Sequence, residues 1–315
     1  MASLLNGPAR SAPVAVIGAP GFIGSRLVPG LRAATIPTFS FGRHSPYLRG
    51  GRATDGLLSA HTVFYLATSI TPAVAERNPD LVEADRAAFL SLLDEVGATD
   101  RRPVVVLTSS GGTAYDPDHP APYSEQSPVR PTSRYGMAKL RLEEDLLSRH
   151  ETIRPVVLRL SNVYGPRQRS WNGLGVIPHW LEAIAERRPL RVLGDPETSR
   201  DYVYVDDTVE AMIRVHLTAC ASDDELPPVL NIGSGVPVTL RQLLSVLTDV
   251  IGFKPRTEQC ERRSFDRAMS WLDVRQAAGT LGWRPRTPLR TGLEESWWAA
   301  QAELSRSHPQ LFSRR

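Results

Sequence analysis

Tyr135 and Lys139 stand four residues apart in Tyr-Gly-Met-Ala-Lys. On a helix this spacing places a phenol and an ammonium on one face. The ammonium favours the phenolate, so the pair is expected to lower the Tyr135 pKa from its usual value of about 10. A positive nicotinamide beside it would add to the effect, and the phenol could then exchange a proton near neutral pH. Upstream, Pro103–Ser110 (PVVVLTSS) is an apolar run that ends in hydroxyls. It reads as a buried strand, and strand ends at this edge of a parallel sheet are where ligands bind. Ser110 is assigned to hydrogen-bond the reacting oxygen and aim it at Tyr135. Ser109 and Thr113 stay open as alternatives, because Gly111-Gly112 leaves the register ambiguous.

A second constellation could hold the cofactor. The strand Val14–Ile17 runs into Gly18-Ala19-Pro20-Gly21-Phe22-Ile23-Gly24 and then a helix over Ser25 to Leu31. Gly18 permits a tight turn, Gly21 lets a pyrophosphate approach the backbone, and Gly24 lets helix and strand pack closely. The free amides and dipole of the helix start, around Phe22 and Ile23, suit anionic phosphates. After the second strand an acid would select a ribose hydroxyl, yet Ala33 to Thr54 contains no Asp or Glu. Arg43 stands there instead, and a guanidinium forks onto a phosphate. NADP(H) is therefore favoured, with NAD(H) the alternative.

These residues need a scaffold. Short apolar runs (PVAVIG, IPTFSF, HTVFYLA, PVVVLTSS, IRPVVLRL) alternate with helical patterns. That rhythm predicts an α/β fold, a Rossmann-type doubly wound parallel sheet with helices on both faces. After Gly165 the rhythm changes. Residues 12–165 are expected to form the dinucleotide-binding domain and 166–315 mostly a smaller mixed α/β substrate lobe, with 201–219 returning to the first. The spacing predicts a helix over Gly175 to Arg188. Thr239 with Gln242 predicts a capping box, and Asp273 with Gln276 a looser one.

Composition bounds the rest. The 315 residues carry a net charge of +3, with 41% hydrophobic and 23% charged residues. No apolar run nears the ~20 residues of a membrane span, and no export signal precedes the first strand. Met1 to Ser11 reads as a loose leader. Arginines are scattered among acids, without a basic run interleaved with aromatics, which argues against nucleic acid. Cys220 and Cys260 show no metal-ligand spacing, so no metal and a reduced, cytoplasmic protein are expected.

With these motifs in place, the chain resembles the NAD-dependent epimerase/dehydratase family of extended short-chain dehydrogenases. The resemblance runs from about Val14 to Trp298 through GAPGFIG, FYLAT, LTSSGGTAYD, RYGMAK, LRLSNVYGPRQ, SRDYVYVDD, LNIGSG and RRSFDRAMSWLDVRQAAGTLGWRP. It implies a catalytic set of Ser110, Tyr135 and Lys139, with Leu66, Ala67 and Thr68 lining the cofactor. Ser109, Gly111, Asn162, Arg200 and Arg263 would meet the substrate, the two arginines gripping its diphosphate. It implies a dTDP- or UDP-linked sugar as substrate and a homodimer built on two helices, one bearing Tyr135. The Asp-Glu pair of the dehydratases is replaced by Gly111-Gly112, and the Asn expected on the following helix is Asp85. The expected activity is NADPH-dependent reduction at C4 of a nucleotide-linked deoxysugar. A 4-epimerase with tightly held NAD is the alternative. A non-catalytic dinucleotide-binding regulator is the rival of another class, against which stand the retained Tyr135 and Lys139.

Overall fold

Every residue of Val14–Ile17 is apolar and buried, and the segment forms β1, an interior strand of the main sheet. The computed structural model describes residues 11–170, 175–222, 225–261 and 269–307. The expected leader (but for Ser11) and Arg263 lie outside the described residues.

From β1 the chain enters α1 (Gly24–Ala33), β2 (Thr38–Phe41), the small β3–β4 hairpin (Leu48–Arg49, Arg52–Ala53), α2 (Asp55–Leu58) and β5 (Thr62–Tyr65). Then come α3 (Pro72–Arg77) and α4 (Pro79–Gly97). Thr71 and Asn78 cap these two by accepting from the amides of Val74 and Leu81, and a proline opens each. Next follow β6 (Val104–Ser110), α5 (Gly111–Ala114), α6 (Arg134–Leu147), β7 (Arg154–Leu160), β8 (Asn162–Tyr164), α7 (Val176–Ala185) and β9 (Leu190–Leu193). The remainder is β10 (Ser199–Tyr204), α8 (Val205–Ala221), β11 (Val229–Ile232), β12 (Pro237–Thr239), α9 (Leu240–Ile251), β13 (Thr257–Cys260), β14 (Met269–Ser270), α10 (Arg275–Leu281) and α11 (Leu289–Ser307).

The main sheet is parallel, in the order β11-β7-β6-β5-β1-β2. Its strands alternate their side chains between two apolar layers. Val14 and Val16 pack with Leu27 and Leu31 of α1 and with Met212 and Val215 of α8. Ala15 and Ile17 pack on the other face with Phe89 and Leu92 of α4 and Leu142 and Leu146 of α6. This is the expected Rossmann-type doubly wound sheet. The chain reverses direction of travel between β2 and β5, on either side of β1, so the Gly18 turn sits at the crevice where such sheets bind ligands.

Trp180, Leu181, Tyr202, Leu243, Leu247 and Leu293 form a separate core for the smaller lobe. Apolar residues from Val209 to Ala219 pack with the first core, and so do Leu230 and Ile232 of β11 together with Ala277, Leu281 and Trp283, whereas Tyr202, Tyr204 and Val205 belong to the core of the smaller lobe. The returning part therefore begins later than the expected residue 201, within α8, and takes in β11 and the region of Trp283 as well.

Asp201 ties the two bodies together. Its buried carboxylate accepts from Ser161 Oγ (3.1 Å), from Ser234 N and Oγ (2.7 Å each), and from the amides of Gly235 (3.2 Å) and Leu272 (3.3 Å). Burial raises its pKa, and these donors oppose that rise.

Local structure follows expectation at Thr239 and departs from it at Asp273 and in α7. Thr239 and Gln242 form the capping box of α9, which ends at Gly252 with φ +79°. Asp273 makes no box with Gln276. It accepts instead from the amide and guanidinium of its neighbour Arg275, leaving Gln276 to donate to Val229 O. α7 is shorter than expected, because Gly175 (φ +75°) and Arg187 (φ +57°) hold left-handed conformations that cannot lie inside a helix.

The Trp283 indole is fully buried and donates to Asp207 O at 2.9 Å. Trp283→Ala should lower the unfolding free energy by about 3–5 kcal/mol, read from urea denaturation.

Candidate active site

α6 begins where Ser133 accepts from the Gly136 amide at 3.1 Å. Gly136 is close to the loop after β6, and a Cβ there would stand 2.9 Å from Thr113 O. This close approach brings the first turn of α6 against the end of β6. The Lys139 ammonium lies 5.9 Å from the Tyr135 ring centroid and donates to Thr108 O at 3.5 Å, two residues before Ser110. Ser110, Tyr135 and Lys139 thus gather at the C-terminal end of β6.

The electrostatics run opposite to the expected direction. Burial, with a smaller contribution from the Asp85 carboxylate, pushes the Tyr135 phenol up to about 12. Lys139 is itself lowered by burial, which the charges of Asp85 and Glu143 oppose. In the protein alone, desolvation therefore outweighs the ammonium, and Tyr135 is a protonated donor throughout the neutral range.

Ser109 is turned away from the ligand side. It is buried and donates to Glu143, so the expectation that it meets substrate is corrected. Glu143 in turn takes a two-point ion pair from Arg159, at 3.1 Å to Nε and 2.6 Å to Nη2, with both partners almost fully buried. Arg159 also stands over the Tyr115 ring at 4.9 Å, and Tyr115 donates to Asn231 Oδ1 at 2.6 Å. Ser110, by contrast, is half-buried at the N-cap of α5. Gly111 is buried beneath Leu272, whose Cδ1 would stand 2.6 Å from a Cβ at 111. Gly111 can present only backbone there.

The glycine turn fits a dinucleotide's phosphates. Gly18 has φ +91° and packs against Ala67 N, while a Cβ on Gly24 would stand 2.8 Å from Ala19 Cα and overlap Gly18 O. On Gly21 a Cβ would meet only Gly18 O, which leaves its outer side open to a ligand. Among the described residues the amides of Phe22 and Ile23 take no backbone acceptor, as a phosphate cradle requires. Leu66, Ala67 and Thr68 follow β5 beside this turn, and Thr68 Oγ1 donates to Asp85 at 2.9 Å. Gly42 is pressed against Pro20, where a Cβ would lie 2.8 Å from Pro20 Cγ. The exposed Arg43 therefore emerges next to the cradle, and no ion pair involves it among the described residues.

Asn162 and Arg200 lie on the paired strands β8 and β10. Asn162 donates its amide to Asp201 O at 3.0 Å, and Arg200 donates to Ser199 O at 2.8 Å. Both side chains are half-buried. Arg263 lies outside the described residues.

Residues 14–233 match the family described as "NAD dependent epimerase/dehydratase family". The chain belongs to that family. It is an extended short-chain dehydrogenase/reductase-type enzyme that uses a nicotinamide cofactor. The family member dTDP-4-dehydro-6-deoxyglucose reductase of Escherichia coli is 29% identical, over 91% of this chain and 97% of its own. UDP-glucose 4-epimerase of Mycolicibacterium smegmatis is 30% identical, over 89% and 96%. The crystal structure of Thermotoga maritima UDP-glucose 4-epimerase with UDP-glucose superposes with a TM-score of 0.80 at 28% identity, covering 93% of this chain and 99% of that one. Among the described residues no helix is long and apolar enough to cross a membrane.

In this epimerase/dehydratase-family enzyme, Glu143 and Arg159 escaped the sequence reading. Glu143 follows Lys139 by four residues, so it continues the Tyr135–Lys139 face, and that spacing was the available signal. Arg159 had no signal, since a charge in an apolar strand gains meaning only when its partner is located.

Asp85→Asn removes a negative charge that disfavours the Tyr135 phenolate, while its carbonyl can still accept from Thr68 and Ser69. The phenol pKa should fall. The alkaline limb of the rate profile should move to lower pH, as kcat followed against pH would show.

Proposed function

We propose that this enzyme uses NADPH to reduce the C4 ketone of a dTDP- or UDP-linked deoxysugar. The observation that carries the cofactor choice is Arg43, held beside the phosphate cradle by the Gly42–Pro20 contact in a stretch without acids. A guanidinium there is complementary to a 2′-phosphate. The Escherichia coli reductase, similar along nearly its whole length, supports the substrate class.

When bound, NADPH supplies the hydride. The protein's residues do the remainder. The amides of Phe22 and Ile23 and the α1 dipole hold the pyrophosphate, and Arg43 takes the 2′-phosphate. Ser110 donates a hydrogen bond to the ketone oxygen, polarising the carbonyl and setting its direction. The Tyr135 phenol, protonated at neutral pH, gives its proton to that oxygen as negative charge develops there. The Lys139 ammonium then offsets the charge left on the phenolate. Asn162 and Arg200 lie on the smaller-lobe side, where Arg200 would meet the substrate diphosphate together with Arg263.

A second reading is supported by the Mycolicibacterium and Thermotoga epimerases, which are as similar as the reductase. An epimerase would keep NAD bound through both half-reactions. The same Ser110, Tyr135 and Lys139 would serve it. A homodimer is part of the proposal. α4 and α6 run side by side, joined by the Arg86–Asp145 pair and, just beyond the end of α6, by Arg149 with Asp94.

Fluorescence titration should show NADPH bound more tightly than NADH. Arg43→Ala should weaken NADPH roughly 10–100-fold, the scale of a lost charge-assisted contact, and leave NADH unchanged. Tight NAD in the isolated protein, with interconversion of two hydroxyl epimers and no added reductant, would establish the epimerase reading instead. Tyr135→Phe should lower kcat about 10²–10⁴-fold on 4-keto nucleotide sugars, with cofactor affinity retained.

A further inference from the structure

At the sheet edge opposite Tyr135, three side chains from distant parts of the chain converge. His61 immediately precedes β5, whereas His216 and Cys220 lie one turn apart on α8 and share a face. The possible ligand atoms of the three all fall within 4.8 Å of one another. Cys220 Sγ is 3.4 Å from His61 Nδ1 and 3.8 Å from His216 Nδ1. Thr62 Oγ1 sits between the rings, 3.2 Å from His61 Nδ1 and 2.9 Å from His216 Nδ1. His216 is fully buried, and the other two are half-buried.

A tetrahedral zinc ion with Zn–S of about 2.3 Å and Zn–N of about 2.0–2.1 Å holds its sulfur and nitrogen ligands roughly 3.6 Å apart. The two sulfur–nitrogen separations here fall on either side of that value. The imidazoles meet edge to face, 5.8 Å between centroids, so neither ring covers the other's nitrogens. One thiolate and two imidazoles form a borderline-soft donor set that suits zinc and not magnesium or calcium. Cys220 and Cys260 showed no ligand spacing in sequence because the nearest partner of Cys220 beyond α8 lies far upstream, at position 61.

We propose that His61, His216 and Cys220 bind a zinc ion at the N-terminal edge of the central sheet, with water or Thr62 Oγ1 completing the tetrahedron. The site is structural. It fastens α8 to the start of β5, and an ion that binds only the folded chain stabilises it. Binding rearranges two protons. Cys220 releases its thiol proton to solvent, and the His61 proton moves from Nδ1 to Nε2. Arg154 Nη2, which now donates to His61 Nε2 at 2.9 Å, must then withdraw. Arg154 and Ala219 line a cavity of about 420 Å³ at this edge, which gives the guanidinium room.

The test uses the full chain, stripped of metal with a chelator and titrated with Zn(II) alone, then with Co(II). The expected result is saturable uptake of a single equivalent, a rise in Tm with zinc, and a thiolate-to-cobalt charge-transfer band. Cys220→Ala should abolish the band and weaken zinc by at least about 100-fold, beyond the 10–100-fold typical of an outer-shell loss. Cys260→Ser should change neither. If Cys220→Ala does not fold, protection of Cys220 from alkylation by zinc in the unaltered chain serves in its place. The proposal is overturned by no uptake, by cobalt spectra without a sulfur band, by undiminished binding in Cys220→Ala, or by equal alkylation with and without zinc. None of these readouts depends on the sugar chemistry proposed above.

Discussion

The smaller lobe hangs on one buried carboxylate. Asp201 gathers donors from the ends of β7 and β11 and from the strand leading into α10, each of which borders the catalytic edge of the sheet. An ionised group at this depth persists only when its oxygens are saturated with hydrogen bonds. The arrangement is therefore close to all-or-none. It also explains Gly233, since a side chain there would collide with the carboxylate. The knot joins the start of β10 to the segments that follow β7 and β11.

A second buried charge works beneath the catalytic helix. Arg159 and Glu143 pair out of water behind Lys139, with Ser109 completing the shell of Glu143. Such a pair gives little net stability, but leaving one member alone would be costly. Its effect here is local. Glu143 stands one turn from Lys139, and its charge, after the larger one of Asp85, opposes the lowering of the Lys139 pKa by burial. Asp85 acts on the same two groups from α4 and also anchors the loop at Thr68 and Ser69. At Tyr135 the Asp85 carboxylate reinforces desolvation, whereas at Lys139 the two carboxylates oppose it, so the side-by-side placement of the pair is only one part of the acidity at this centre.

Much of the architecture could be read from the residue pattern. Uniformly apolar strands and a glycine-punctuated turn have few other solutions, so the parallel sheet, the cradle and the helix of Tyr135 were legible. The capping box at Thr239 was legible too, because it depends on neighbours three residues apart. What could not be read depended on distant partners. Glu143 carries no sign in sequence of Arg159 beneath it, and the expected ligand contact of Ser109 is displaced by its hydrogen bond to Glu143. The direction of the Tyr135 shift was misjudged because spacing reveals nearby charge but not the loss of water. The return of β11 and Trp283 to the first core was equally hidden, since their sequences suit either lobe.

Leu272 settles over Gly111 and Trp283 inserts beneath α8, so parts of both the catalytic floor and the main core come from the last fifth of the chain. During synthesis on the ribosome the nucleotide-binding sheet can begin to assemble early, yet its hydroxyl-bearing edge stays unfinished until these late residues emerge. A nascent chain would thus be able to collapse without being able to turn over substrate. Competence waits until Leu272 and Trp283 have been made.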